Sequence, residues 1–431
     1  MSVQASIARR GWCPGVRRPM ATGDGLLVRL QPFGGRLTAH QARLVAQAAR
    51  EYGNSHLDVT ARGNLQIRGV KEESYPHLLA LLDREGVAEP EGDGPNRLTV
   101  LSPLAGLDPL DRWDAPALAR SIEITAGAVE GLPAKFFVAV DGGGAMPLDP
   151  VGADLHLVAT ADHAVAFGAA APGGLHWIGT ASHTRTPDAA CAVLSGFAEM
   201  RRAGQTEARR LRDLEPGLVQ ALAERASLEP AAAPPPRPAA PRAGAMPLNH
   251  GQAVLLALPF GRCTAAQIAQ AAAWSERFGH GEIRLSFTRG LLLPGIAEES
   301  MAPLLAEAHR AGFITDAQDP RLSLIACPGK PDCGSAWVPA PADALRMAQS
   351  CESLLQQGVI LHVSGCAKGC AHPSRADLTL VGRPDGRYDV VPGGSTRDAS
   401  ILHLSIDDLM TRLLPLKTAD DLRRAFADDP R

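Results

Sequence analysis

Residues 26–70 read LLVRLQPFGGRLTAHQARLVAQAAREYGNSHLDVTARGNLQIRGV, and residues 254–296 repeat this pattern as VLLALPFGRCTAAQIAQAAAWSERFGHGEIRLSFTRGLLLPGI. The repetition identifies an internal duplication, because the matched residues keep a nearly constant offset. The matched positions are Phe33-Gly34 with Phe260-Gly261, Thr38 with Thr264, Gln41 with Gln267, and Arg62-Gly63 with Arg289-Gly290.

Each copy contains the same predicted series of elements. In the first copy, the alternating apolar run Leu26–Leu30 predicts a strand. Thr38 is the expected N-cap of an Ala-rich helix that ends near Gly53. Two short strands, Leu57–Thr60 and Leu65–Gly69, follow. Strand, helix, strand and strand form half of a ferredoxin-like motif, so two copies can pair across a pseudo-twofold axis.

A longer α/β stretch follows each copy, and the Ala/Pro-rich segment Ser227–Pro247 separates the two halves as a linker. In the second half, Ala342–Gln357 is predicted to be one helix, with Cys351 on its core side. We therefore predict an α+β fold with internal duplication. Its parts are an N-terminal arm (1–22), a first ferredoxin-like half-domain (23–90), a first α/β domain (91–226), the linker (227–247), a second half-domain (248–315) and a second α/β domain (316–431).

Composition excludes several classes of function. The 431 residues are 45% hydrophobic, and the net charge of −3 gives no general attraction to nucleic acid or to an anionic membrane. We find neither a secretory signal pattern nor an apolar run that could span a bilayer. These features predict a cytoplasmic protein, where thiols stay reduced. The eight cysteines therefore indicate metal binding or catalysis rather than disulfides.

Four of these cysteines, Cys327, Cys333, Cys366 and Cys370, form a Cys-x5-Cys and a Cys-x3-Cys pair. This spacing does not suit zinc ribbons, whereas four thiolates suit a 4Fe–4S cluster. Flanking glycines let the chain wrap closely and offer N–H groups to cluster sulfurs. The alternative is four buried free thiols, which two pairs flanked by Gly and Pro disfavour. The role of Cys13, in Cys13-Pro14-Gly15, stays open.

With these cysteines and the duplication, the chain resembles the siroheme-dependent nitrite and sulfite reductase superfamily, from about residue 23 to residue 394. The resemblance implies that the four cysteines bind a 4Fe–4S cluster, with Cys370 nearest a tetrapyrrole. It also implies a basic anion-binding and catalytic site at Arg62, Arg97 and Lys135, with Arg289 as a further tetrapyrrole-binding residue. The motifs that carry it are Thr60-Ala61-Arg62-Gly63-Asn64-Leu65-Gln66, Asn96-Arg97 and Leu132-Pro133-Ala134-Lys135-Phe136-Phe137.

The chain departs from the reductases at Phe137, where their motif has a second lysine. That departure, the Cys13-Pro14-Gly15 start and Gly365-Cys366-Ala367-Lys368-Gly369-Cys370 are similar to the precorrin-3B synthase family. This resemblance implies dioxygen-dependent hydroxylation of the tetrapyrrole precorrin-3A, with closure of a γ-lactone. It also implies a non-haem iron, whose ligands we do not assign, and an external electron donor such as an NADH-linked reductase or a ferredoxin-like protein. His372 is one candidate ligand for that iron.

Two other functions remain open at this point. One is a siroheme-dependent sulfite or nitrite reductase. In that case the bound tetrapyrrole would be siroheme, a cofactor, and not a substrate. The other is a non-enzymatic iron–sulfur electron-transfer protein, which would need no basic tetrapyrrole pocket. The sequence has no Gly-x-Gly-x-x-Gly after a strand, so it predicts no direct nicotinamide site.

Overall fold

The structure is a computed structural model that describes residues 13–91, 94–160 and 164–427. The predicted N-terminal arm therefore lies outside the described residues as far as residue 12. The described strands of the first half are β1 (Met20–Thr22), β2 (Gly25–Leu30), β3 (Arg36–Thr38), β4 (His56–Val59), β5 (Leu65–Val70), β6 (Thr99–Leu101), β7 (Val138–Asp141), β8 (Leu155–Ala159), β9 (Ala164–Ala171) and β10 (Gly174–Ser182). Its helices are α1 (Ala39–Tyr52), α2 (Tyr75–Arg84), α3 (Ala115–Thr125), α4 (Thr186–Arg202) and α5 (Pro216–Arg225).

The second half repeats the order of the strands, as the duplication predicts. The described strands are β11 (Gly244–Pro247), β12 (Gln252–Ala257), β13 (Arg262–Thr264), β14 (Glu282–Leu285), β15 (Gly290–Ile296), β16 (Leu324–Ala326), β17 (Leu361–Ser364), β18 (Leu378–Gly382), β19 (Tyr388–Pro392) and β20 (Leu402–Leu404). The helices are α6 (Ala265–Phe278), α7 (Glu298–Arg310), α8 (Ala340–Ser350), α9 (Glu352–Leu355), α10 (Ile406–Leu413) and α11 (Ala419–Ala425).

Each ferredoxin-like sheet takes its last strand from the other half of the chain. The first sheet has the order β1-β2-β5-β4-β13, and the second has the order β11-β12-β15-β14-β3. Cys263 of β13 lies opposite Leu57, and Leu37 of β3 lies opposite Ile283. The buried faces of α1 and α6 belong to one core that spans both copies. The strand exchange therefore joins the two half-domains into one unit, as the α+β prediction requires.

The two α/β sheets also share one topology. Their orders are β10-β9-β8-β7-β6 and β16-β17-β18-β19-β20. In each sheet two parallel pairings are followed by two antiparallel pairings. The parallel strands end at the same edge of the sheet, which is where α/β folds place their ligand sites. The loops after β7, β16 and β17 therefore lie at the edges where a ligand site is expected.

Local capping signals explain where the two long helices begin. The Thr38 side chain accepts from the Gln41 N–H, and the Gln41 side chain accepts from the Thr38 N–H. Thr264 and Gln267 form the same reciprocal pair in the second copy. Each pair satisfies two backbone N–H groups that a helix start leaves unpaired. The predicted N-cap at Thr38 is confirmed.

Two predicted segments differ from the structure. The helix predicted over Ala342–Gln357 is interrupted at Cys351, whose φ of −114° and ψ of 28° are not helical. The last part of the predicted linker forms β11, which pairs with β12. Within the same linker, Arg237 forms an ion pair of 2.6 Å with Asp141, so this segment is tied to the first α/β domain. In the part of the chain that the structure describes, no helix is long and apolar enough to cross a membrane.

Candidate functional site

The four predicted cluster cysteines lie in two neighbouring loops at one edge of the second α/β sheet. Cys327 directly follows β16, and Cys366 follows β17 after a single glycine. Because β16 and β17 are parallel neighbours, the two loops leave the sheet side by side. Cys333 lies further along the first loop and Cys370 further along the second. The structure therefore brings together the two cysteine pairs that the sequence separates.

The cysteines influence one another electrostatically. Burial raises the pKa of Cys370 to about 11, and Cys366, Cys327 and Cys333 contribute to the increase. Burial also raises the pKa of Cys327, although the Gly365 N–H donates to its Sγ at 3.0 Å and opposes this. The Cys327 and Cys370 thiols therefore stay protonated at neutral pH unless a cation compensates their charge. Bound iron provides that compensation, so the donor set fits a metal cluster.

A single metal ion and a 4Fe–4S cluster require different arrangements of their ligands. Among the described residues, no three Cys, His, Asp or Glu side chains are arranged to hold one metal ion. In a 4Fe–4S cluster each cysteine binds a different iron, so the ligand sulfurs stand further apart than the ligands of one ion.

Glycines allow the cluster loops to pack closely. A Cβ on Gly365 would lie 2.7 Å from the Ala336 Cβ and 3.4 Å from the Cys327 Sγ. A Cβ on Gly23, in the turn between β1 and β2, would lie 2.2 Å from the Gly334 nitrogen. The first half-domain therefore packs directly against the loop that carries Cys327.

Arginines of the half-domains contact both loops that carry the predicted cluster cysteines. Arg68 donates to the Asp332 carbonyl at 2.7 Å, and Arg262 forms an ion pair with the Asp332 carboxylate. Arg289, predicted as a tetrapyrrole-binding residue, donates instead to the Ala371 carbonyl in the loop after β17. Burial lowers the pKa of Arg289. Its guanidinium is thus placed against the loop of the second cysteine pair.

A cleft that is open to solvent lies between the first half-domain and the first α/β domain. It brings together Arg62, Arg97 and Phe137, three positions that the sequence singled out. The residues that line it are Gln31, Pro32, Gly34, Gly35, Arg62, Gly63, Asn64, Arg97, Thr99, Val100, Leu101, Phe137 and Leu285.

Arg62 is a cation with little compensation in this cleft. Its guanidinium lies over the Phe137 ring at 4.5 Å from the centroid and donates to the Gly152 carbonyl at 3.0 Å. Burial, together with the positive charges of Arg210 and Arg29, lowers its pKa to about 10, against opposing effects of Cys13 and Asp154. Arg62 is therefore charged at neutral pH, at a cost that a bound anion would reduce.

The other two predicted basic residues have different surroundings. Arg97 forms an ion pair with Glu123 at 2.9 Å, and its guanidinium lies 5.7 Å from the Phe33 ring centroid. Lys135 is half-buried in the segment that leads into β7 and is not among the described residues that line the cleft. The structure therefore joins Arg62 and Arg97 in one cleft, whereas Lys135 is not part of the described lining.

The sequence analysis did not identify Arg29, a charged residue on β2, as part of this region. In the amide orientation that suits its neighbours, Gln66 accepts from Arg29 Nε at 2.8 Å and from the second guanidinium nitrogen at 2.6 Å. Arg29 also donates to the Cys13 Sγ at 3.3 Å. Cys13, whose role the sequence left open, is thus buried beside a guanidinium. The sequence contains one indication of this role, because Arg29 is charged whereas the second copy has the apolar Leu256 at the matching position.

His372, the candidate iron ligand, lies close to a second histidine. Its ring centroid is 5.5 Å from that of His362, and its Nε2 lies 3.1 Å from the Arg375 carbonyl oxygen. Both ring nitrogens of His362 are buried without a hydrogen-bond partner among the described residues. Burial, with the charges of His372 and Arg289, lowers the pKa of His362 to about 3. His362 lies in β17, and His372 lies in the following loop, which also carries Cys366 and Cys370. The role of His372 as an iron ligand stays a prediction.

Comparisons with known proteins agree with this architecture. The family model described as "Nitrite/Sulfite reductase ferredoxin-like half domain" matches residues 18–85 and 247–311. A solved structure of the Mycobacterium tuberculosis NirA protein superimposes with a TM-score of 0.73 at 20% identity, over 92% of this chain and 85% of that one. Ferredoxin–nitrite reductase of Synechococcus elongatus is 27% identical over 88% of this chain and 81% of its own length.

The fold and the duplicated half-domains define a member of the nitrite/sulfite reductase superfamily. A precorrin-3B synthase from Sinorhizobium sp. is 34% identical over 90% of this chain and 83% of its own length. Within the superfamily, the chain therefore belongs to the precorrin-3B synthase family. The relatives are enzymes of the oxidoreductase type.

Proposed function

We propose that this protein is an oxygenase of tetrapyrroles that converts precorrin-3A to precorrin-3B in cobalamin biosynthesis. The support is the 34% identity to a precorrin-3B synthase over nearly the whole chain, together with the composition of the cleft. One observation carries the proposal: the Arg62 guanidinium lies over an aromatic ring, Phe137, where the reductase motif has a second lysine. A site with one fewer cation and proton donor suits a carboxylated macrocycle better than a small oxyanion.

The reaction needs a source of electrons. One oxygen atom of dioxygen enters the macrocycle, and the other leaves as water after taking up two electrons and two protons. A 4Fe–4S cluster on Cys327, Cys333, Cys366 and Cys370 would supply those electrons one at a time from an external donor. That donor is an NADH-linked reductase or a ferredoxin-like protein. A non-haem iron belongs to the same proposal, without assigned ligands.

The basic residues have separate tasks in this proposal. Arg62, Arg97 and Lys135 bind the acetate and propionate groups of the macrocycle, because guanidinium forks match carboxylates and ammonium groups attract them. Arg97 does so while sharing its charge with Glu123. Arg289 acts as a positioning residue through the Ala371 carbonyl rather than through the substrate.

Purification without oxygen, followed by acid-acetone extraction and an optical spectrum, tests the proposal against its alternative. We expect iron and acid-labile sulfide without an extracted tetrapyrrole, and conversion of precorrin-3A only when dioxygen and reduced external donor are both added. An extracted isobacteriochlorin, together with reduction of sulfite or nitrite, would instead identify a siroheme-dependent reductase. Cluster signals with neither activity would indicate an electron-transfer protein.

Matched alanine variants separate the two kinds of arginine. Arg62→Ala should weaken binding of the tetrapyrrole by about tenfold or more, because the carboxylate loses a charged partner in a half-buried site. Its iron and sulfide content should equal that of the wild type. Arg289→Ala should lower iron and sulfide content, because the loop after β17 loses its contact at Ala371. Unchanged tetrapyrrole binding by Arg62→Ala would remove Arg62 from the substrate site.

A further inference from the structure

Within the described parts of the chain, one buried polar side chain that lines the cleft has no hydrogen-bond partner. Gln31 directly follows β2, is 3% exposed and lines the cleft with Arg62 and Arg97. Neither its Nε2 nor its Oε1 has a hydrogen-bond partner among the described residues. Buried amides are almost always hydrogen-bonded, because leaving both polar atoms unpaired costs stability. An unpaired amide at the wall of a cleft indicates a partner that arrives with a ligand.

The duplication supplies an internal comparison for this position. Leu258 directly follows β12 in the second copy and matches Gln31 in the aligned segments. Leu258 is 4% exposed and belongs to the apolar core. The same place in the fold therefore accepts a leucine of similar size. Packing alone does not explain an amide at Gln31.

The neighbours of Gln31 indicate the charge of the missing partner. The Arg97 Nε donates to the backbone carbonyl oxygen of Gln31 at 3.4 Å, and Arg62 lines the same cleft with a charge that burial disfavours. A group bound between these side chains must therefore be an anion. A carboxylate can accept from the Gln31 Nε2 and from a guanidinium at once, with no further positive charge.

We propose that Gln31 is a specificity-determining residue whose side-chain amide donates to a peripheral carboxylate of the bound tetrapyrrole. The amide oxygen accepts from a water molecule that enters with the ligand. This inference rests on the proposed function, because it assumes that the cleft binds a carboxylated tetrapyrrole. The Gln31 amide provides a neutral hydrogen bond to the ligand, in addition to the arginines, which bind any anion. A neutral donor is sensitive to the position of the carboxylate, whereas the cations respond mainly to its charge.

The test uses uroporphyrin III, a tetrapyrrole with eight carboxylates, and the intact protein. Binding is measured by absorbance titration for the wild type, Gln31→Leu and Gln31→Met. Both variants should bind uroporphyrin III about tenfold more weakly, because a hydrogen bond to a charged group is lost. Both should bind the octamethyl ester of the same porphyrin as the wild type does. Without ligand, their thermal midpoints should equal or exceed that of the wild type, since an unpaired buried amide has been removed.

Leu258→Gln is the matched control. It places an amide at the equivalent apolar position, so it should lower the thermal midpoint and leave uroporphyrin III binding within about twofold of the wild type. Unchanged uroporphyrin III binding by Gln31→Leu and Gln31→Met would overturn the role of Gln31 and leave the proposed function standing. A lower thermal midpoint in both ligand-free variants would also overturn it, because the amide would then have a partner within the protein. A wild type that binds neither porphyrin would contradict the proposed function and this inference together.

Discussion

Replacing Phe137 with lysine would place a second cation beneath the Arg62 guanidinium. Phe137 is buried, and its ring centroid lies 4.5 Å from the Arg62 guanidinium carbon. Two unit positive charges at that separation repel by about 4 kcal/mol at an effective dielectric constant of about 20. The loss of a desolvated cation–π contact adds about 2 kcal/mol. We therefore expect Phe137→Lys to lower the free energy of unfolding by about 6 kcal/mol at pH 7.

The matched control is Phe137→Leu, which also removes the ring but adds no charge. It should cost about 2–3 kcal/mol, from the lost ring contact and a small cavity. Both variants are compared with the wild type by urea unfolding at pH 7 and at pH 10. The neighbouring charge and burial lower the folded-state pKa of the introduced ammonium below its unfolded value of about 10.4. The penalty is therefore complete below the folded-state pKa and shrinks as pH rises toward the unfolded value.

The difference between the two variants should accordingly be about 3–4 kcal/mol at pH 7 and clearly smaller at pH 10. Arg62 titrates in both variants, so its contribution cancels in the difference between their free energies of unfolding. Equal stability of Phe137→Lys and Phe137→Leu at pH 7 would refute this reasoning. It would mean that the cleft accommodates the reductase-like lysine without rearrangement, and Phe137 would no longer argue for a change of ligand.

Two further predictions concern the cluster loop and an acidic residue. Gly365→Ala should reduce iron and acid-labile sulfide content, because its Cβ would lie 2.7 Å from the Ala336 Cβ. Gly217→Ala is the control and should leave this content unchanged, because a Cβ there has no atom within 4 Å. Equal iron content in both variants would contradict the close packing at Gly365. Burial raises the pKa of Asp111 to about 7 from 3.8, so ionisation of this carboxyl destabilises the fold progressively as pH rises between these values. Asp111→Asn should therefore unfold at higher urea concentration than the wild type at pH 8 and at the same concentration near pH 4, and an equal difference at both pH values would rule out this cause.

Elements with local signals were predictable from the sequence. The capping pair of Thr38 and Gln41 is contained within four residues, so the start of α1 follows from the sequence alone. The four cysteines are similar in this respect, because their flanking glycines already indicate tight loops. The Arg62 and Arg97 motifs also occur in one cleft, although only the structure shows the ion pair of Arg97 with Glu123.

Non-local features were not predictable. The exchange of β3 and β13 depends on pairings such as Leu37 with Ile283, far apart in sequence, and two short strands of this kind have no recognisable periodicity. The break at Cys351 was missed because the apolar pattern continues across it into α9. Arg29 was missed because a single charge in an apolar strand resembles a solvated edge residue until its partners are known.

The duplicated architecture also explains why one chain can contain two different sites. Arg62 and Arg289 occupy matching positions, and each donates to a backbone carbonyl in the loop between the second and third strands of an α/β sheet, Gly152 in one half and Ala371 in the other. The same arginine geometry is thus present twice. Only the second loop carries cysteines, so Arg289 supports the proposed cluster, whereas its counterpart Arg62 faces a cleft and stays available to an anion. The symmetry of the fold sets the positions, and the side chains on each loop decide which chemistry each position performs.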